Sequence, residues 1–120
     1  MEQTVDKPLQ RLLSGFIRMH VLHHAEEGSL LGNWMIEELR HHGYRISAGT
    51  LYPMLHQLEA AGYLTVHSEV VAGKQRKYYR ATAAGRKVLR AARQRLAELV
   101  AEVIDDHDEP FRTIREKRRR

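Results

Sequence analysis

Apolar residues recur at Leu9, Leu12, Leu13, Phe16, Ile17, Val21 and Leu22, a spacing that predicts an amphipathic helix over 9–25 with a broad buried face. The polar residues before it, 1–8, read as a mobile arm ending at Pro8, and Glu27-Gly28-Ser29 breaks the helix at its far end. A second helix is expected from Leu31 to His41, with Trp34, Met35, Ile36 and Leu39 as its apolar side and His42-Gly43 as its stop. Tyr44-Arg45-Ile46 is a short extended piece. A third helix over 50–61 carries the stripe Leu51, Met54, Leu55 and Leu58 and closes at Gly62. Proline is tolerated only near a helix start, so Pro53 places that start close to Ser47 or Thr50, either of which can cap it.

The pattern then changes. Tyr63 to Val71 reads as a strand, Ala72-Gly73-Lys74-Gln75 as a turn, and Arg76 to Ala81 as the returning strand. Thr82 caps a long last helix expected from Ala83 to Asp106. Helix, helix, helix, hairpin, helix is the winged helix-turn-helix plan. The fold class expected is therefore mainly α with a small β-hairpin: a winged domain over 9–82, a long C-terminal helix over 83–106, and a basic, disordered tail over 107–120.

A chain of 120 residues is one domain's worth. The absence of cysteine excludes disulfides, Cys-ligated zinc and a thiol nucleophile. No apolar run reaches the roughly 20 residues of a membrane span and the N-terminus has no signal-peptide pattern, so no membrane partner and a cytoplasmic location are expected. A Gly-rich phosphate loop, a nucleophile elbow and an H-E-x-x-H run are all missing, and an enzyme is not expected.

Charge adds more. The formal net charge is +5, all of it accounted for by residues 112–120, with six bases and one acid. Within the neutral remainder the signs segregate. Between Glu69 and Glu98 there are nine bases and no acid, and from Glu98 to Glu109 six acids and no base. Charge runs are often only a solvated face, but a block of this size on a hairpin and helix matches a polyanion.

Gly49-Thr50-Leu51-Tyr52-Pro53-Met54-Leu55-His56-Gln57-Leu58-Glu59 followed by Gly62-Tyr63-Leu64 resembles the core signature of the PadR family of transcriptional regulators. Gly73-Lys74-Gln75-Arg76-Lys77-Tyr78-Tyr79-Arg80-Ala81-Thr82-Ala83-Ala84-Gly85 resembles that family's wing and its entry to the last helix. The likeness spans roughly 12–106 and points to the small subgroup with a single C-terminal helix. It implies a homodimeric DNA-binding repressor whose last helix, with the first, builds the dimer. The chain departs from many members in having Gly32-Asn33-Trp34 where they carry a Gly-Tyr pair.

On this reading the third helix offers Ser47, Thr50, Tyr52, Pro53, His56 and Gln57 to double-stranded DNA. Gln57 suits adenine, Thr50 a base edge or thymine methyl, and Ser47 with the helix start a phosphate. For Tyr52 the resemblance suggests a phosphate, against the alternative of half-buried packing. Lys74, Arg76 and Lys77 at the wing tip straddle a phosphate strand or reach the minor groove. Leu89, Ala92, Leu96, Leu99 and Val103, at alternating three- and four-residue steps, form a dimer seam, joined by Leu12 and Phe16 of the first helix.

No cofactor is required by this reading, but His20, His23 and His24 have a spacing competent for zinc or nickel, with Glu26, Glu27, Glu37 and Glu38 as candidate oxygens. The bland alternative is a set of exposed, titrating histidines. Trp34, the single tryptophan, is expected in the core, with a pocket for an unidentified small-molecule effector as its other reading. A winged helix that binds protein instead of DNA is the rival function, disfavoured by the acid-free window.

Overall fold

The computed structural model describes residues 5–105. These fall into two compact units that divide after Arg90. The N-terminal unit begins with α1 (Lys7–Leu12) and α2 (Ser14–Glu27), followed by β1 (Leu30–Leu31), α3 (Gly32–His41) and α4 (Ala48–Ala60). The wing strands β2 (Leu64–Val71) and β3 (Lys74–Ala81) come next, and α5 (Ala83–Val100) starts in this unit.

The expected first helix is two. Asp6 caps α1, its carboxylate accepting the Leu9 N–H at 3.0 Å, and Pro8 sits in the first turn, where a missing N–H costs nothing. Pro8 thus starts a helix instead of ending an arm. The Val5 N–H donates to the Gly43 carbonyl at 3.0 Å, so the arm expected over 1–8 is already part of the fold by residue 5. Leu13 leaves helical geometry and separates α1 from α2.

Ile17, Val21, Leu22 and Ala25 of α2, Met35 and Leu39 of α3, Leu51, Met54, Leu55 and Leu58 of α4, and Leu64 and Tyr79 of the sheet make one core, closed by Leu89 of α5. Burial pushes the Tyr79 hydroxyl above the usual tyrosine range, with Tyr52 and Glu59 adding to the effect.

The sheet has three strands in the order β1-β3-β2, not the two of a bare hairpin. Leu30 pairs with Tyr79 and Leu31 with Tyr78. The wing turn is tighter than expected. Val71 pairs with Lys74, which leaves Ala72 and Gly73 as a two-residue turn with φ of 53° and 78°. Two left-handed residues mark the type I′ hairpin, whose twist matches the flanking strands. Lys74 and Gln75, expected in the turn, therefore belong to β3.

Thr82 ties the base of the wing to both neighbouring helices. Its hydroxyl donates to the Gly62 carbonyl at 2.6 Å and accepts the Gly85 N–H at 2.9 Å, the N-cap bond of α5. A Cβ at Gly85 would collide with the Tyr63 carbonyl, so only glycine allows the start of α5 to pass this close to the α4–β2 junction.

In the second unit α5 runs on to Val100 and gives way to a π-helical turn over Ala101–Asp105. The α-helix expected to reach Asp106 therefore stops earlier. Asp106 and the basic tail 107–120 lie outside the described residues, as do residues 1–4.

Candidate nucleic-acid interface

The four apolar residues of α4 turn one side of the helix into the core, and Thr50, Pro53, His56 and Gln57 are exposed on the other. Ser47 is the N-cap by backbone geometry, but its hydroxyl makes no capping bond. The first turn thus presents an uncapped hydroxyl and helix-start N–H groups, a favourable place for an anion. Pro53, sixth in the helix, withholds the N–H that the Gly49 carbonyl would otherwise accept.

Tyr52 is half-buried and lies across Gly32 at the start of α3, where a Cβ would run into its hydroxyl and ring. Packing and exposure are both realised, since the ring rests on α3 while its side also borders open space. That space is a cleft of about 400 Å³ lined by Leu31, Asn33, Tyr52, Lys74, Gln75, Arg76 and Lys77. One expected helix residue and all three expected wing bases therefore share a single concavity. Ser47, Thr50, Pro53, His56 and Gln57 do not line it. Asn33 and Gln75 do: Gln75 belongs to the expected wing tip, and Asn33 has no DNA-binding role in the sequence reading. The only signal for Asn33 is its place beside Gly32.

Strand alternation sends Lys74, Arg76, Tyr78 and Arg80 to one face of β3 and Gln75, Lys77 and Tyr79 to the other. The second face is the core side, carried past the end of the core by Gln75 and Lys77. The wing tip thus holds cations on both faces. Glu69 stands opposite Arg76 but accepts from the His67 ring at 3.0 Å. On α4, the Gln57 side-chain oxygen accepts from Arg18 of α2 at 3.3 Å, so the residue expected to read adenine is already engaged.

A profile described as the "Transcriptional regulator PadR-like family" matches residues 21–91, from the middle of α2 to the middle of α5. The chain belongs to the PadR-like family of transcriptional regulators. It is 51% identical over 88 residues to "Transcriptional regulator Rv3488" of Mycobacterium tuberculosis, a match covering 73% of this chain and 82% of that one. Among solved structures it is similar to a PadR family transcriptional regulator from Eggerthella lenta, with 33% identity and a TM-score of 0.73 over 82% of this chain and 88% of that one. A transcriptional regulator from Clostridium thermocellum matches at 26% identity and TM-score 0.70 over 82% of this chain and 99% of that one. This PadR-like chain is a DNA-binding regulator with a winged-helix fold, and it is not an enzyme. Among the described residues no helix is long and apolar enough to cross a membrane.

The remaining expected residues of the PadR-like chain separate. Leu89, expected in the dimer seam, is 2% exposed inside the chain's own core, because Gly85 lets the start of α5 settle there. Leu12 is 78% exposed and Phe16 is half-buried against the core. In the second unit Ala92 and Leu96 are half-buried, while Leu99 and Val103 are exposed.

Trp34, expected in the core, is 46% exposed, its ring edge-on to His24 with centroids 5.1 Å apart. With His24, Glu27, Leu31 and Tyr78 it borders a hollow of about 360 Å³. The expected trio of histidines also divides. His20 stacks on His42 at 4.5 Å and meets Tyr44 edge-on, and it is not part of the cluster that His23 and His24 form with Glu27. Burial lowers its pKa, with His42, His24 and His23 in the same direction and Glu38 against.

Proposed function

We propose that this PadR-like regulator is a sequence-specific repressor that acts as a homodimer on a two-fold operator and is released by a small-molecule or metal effector. The exposed face of α4 enters the major groove, where Thr50, His56 and Gln57 meet base edges and Ser47 with the helix start holds a phosphate. Tyr52 donates to the backbone beside it, and Lys74, Arg76 and Lys77 grip the neighbouring phosphate strand. The observation that carries the reading is the cleft in which Tyr52 of α4 faces those three wing bases. Exposed Leu12, Leu99 and Val103, with Ala92 and Leu96, support a seam between two copies.

Selection of bound duplex from a random pool tests this reading. Enrichment of an inverted repeat with half-sites about one helical turn apart is expected. Recovery of unrelated sequences at low salt only, or of a single half-site, overturns it.

A further inference from the structure

We propose a divalent transition-metal site on α2, formed by His23, His24 and Glu27, with Glu38 of α3 as the carboxylate that orients His24. The trio revises the one expected from spacing, exchanging His20 for Glu27. This inference stands apart from the DNA-binding reading, since the site and its test involve no nucleic acid.

The helix brings the three together. Glu27 is four residues after His23 and three after His24, so both rings reach toward one carboxylate although adjacent residues on a helix diverge. His23 Nε2 lies 3.3 Å from one oxygen of Glu27, and His24 Nδ1 lies 3.4 Å from the other. One donor atom from each residue falls within 4.8 Å of the other two. A tetrahedral zinc with ligands at 2.0–2.1 Å has ligand–ligand edges of about 3.3 Å. Each nitrogen–oxygen distance is close to such an edge, the two ending on different oxygens of Glu27, and side-chain rotation brings one oxygen and both nitrogens around the ion.

The second ring nitrogen of His24 has a carboxylate within reach. Nε2 lies 3.4 Å from a Glu38 oxygen, so with a metal on Nδ1 the Nε2 proton would face that carboxylate. A carboxylate on the far nitrogen of a metal-bound imidazole fixes its tautomer and raises its basicity. The same Glu38 oxygen accepts from His42 Nε2 at 3.2 Å, which anchors the carboxylate at the end of α3. Trp34 packs edge-on against the His24 ring and restricts it further. Access is open, because His23 and Glu27 side chains are 46% and 60% exposed. Two imidazoles and one carboxylate suit zinc, nickel or cobalt and disfavour magnesium or calcium.

Calorimetric titration of the chelator-treated full chain with zinc and nickel salts tests the site. One ion per protomer is expected, with no heat from magnesium. Glu27→Gln, a surface change that leaves the core intact, and His24→Gln should each abolish that stoichiometric binding. Glu38→Gln should weaken it about 10- to 100-fold, and His20→Gln should leave it unchanged. Unchanged binding in Glu27→Gln, loss of binding in His20→Gln, or the absence of saturable binding to the native chain each overturns the proposal.

Discussion

Two glycines hold side chains or backbone in place by having no Cβ. At Gly32 the neighbour is the Tyr52 ring, which can turn away, so Gly32→Ala should leave the protein folded but displace Tyr52 from the wing cleft. A filter-binding titration should then show weaker affinity for all duplexes with an unchanged circular dichroism spectrum. At Gly85 the neighbour is the Tyr63 backbone, which cannot yield as a side chain does. Gly85→Ala should cost about 1–3 kcal/mol in denaturant unfolding, the usual penalty of overpacking. Ala72 sits at φ 53°, where a residue with a Cβ is strained. Ala72→Gly should therefore raise the melting temperature, or leave it level if added chain entropy offsets the relief; a fall would contradict the left-handed turn. Tyr79 supplies the pH test. Its raised pKa means the folded chain keeps a proton that the unfolded chain loses above about pH 10. Stability is complete below that pH and declines above it until the folded hydroxyl ionises too. Tyr79→Phe should decline less between neutral and strongly alkaline pH, as read by urea midpoints relative to its own neutral value.

Elements differ in how much of them local sequence discloses. The α4 stripe of Leu51, Met54, Leu55 and Leu58 is legible because all four lie on one helical face and the core accepts that face. The wing is legible because the period changes at Tyr63, though its turn is two residues tighter than the spacing suggests. Sequence spacing does not reveal β1, whose two residues pair with Tyr78 and Tyr79 far along the chain. Nor does it reveal the break at Leu13, since an apolar residue there satisfies the stripe of one continuous helix equally well. Leu89 fits a heptad seam and a core position alike, and only the close approach at Gly85 separates them. The site is partly readable for the same reason: each of Tyr52 and the wing bases is visible in its own motif, but their shared cleft, with Asn33 on its wall, exists only after folding. Replacing Arg76 and Lys77 together by alanine tests that cleft as a unit. Affinity for every sequence should fall, and the slope of log affinity against log salt should flatten by about 0.9 for each phosphate that is no longer neutralised.

At the scale of the whole molecule, charge and apolar exposure are unevenly shared. The bases from Lys74 to Arg90 belong to the N-terminal unit and are exposed, while the second unit presents Leu99, Val100, Val103 and Ile104 to solvent. Exposed large apolar residues in this number are unusual for a lone chain and suit burial against a copy. If the proposed dimer uses this face, Leu99→Glu combined with Val103→Glu should leave only monomer in light scattering at micromolar concentration, with the winged unit still folded. Two half-sites bound independently would then lose the avidity that a joined pair supplies.

Pro53 gives α4 a property that its leucines do not. With the Gly49 carbonyl deprived of its intrahelical donor, the front of the helix is fastened less tightly than its middle, and proline at such a point is a recognised origin of bends. If α4 is the groove reader proposed above, a slack leading end would let it tilt to follow grooves of differing width, so sites of unlike curvature would become acceptable without altering the rear of the helix, which Leu55 and Leu58 keep seated in the core.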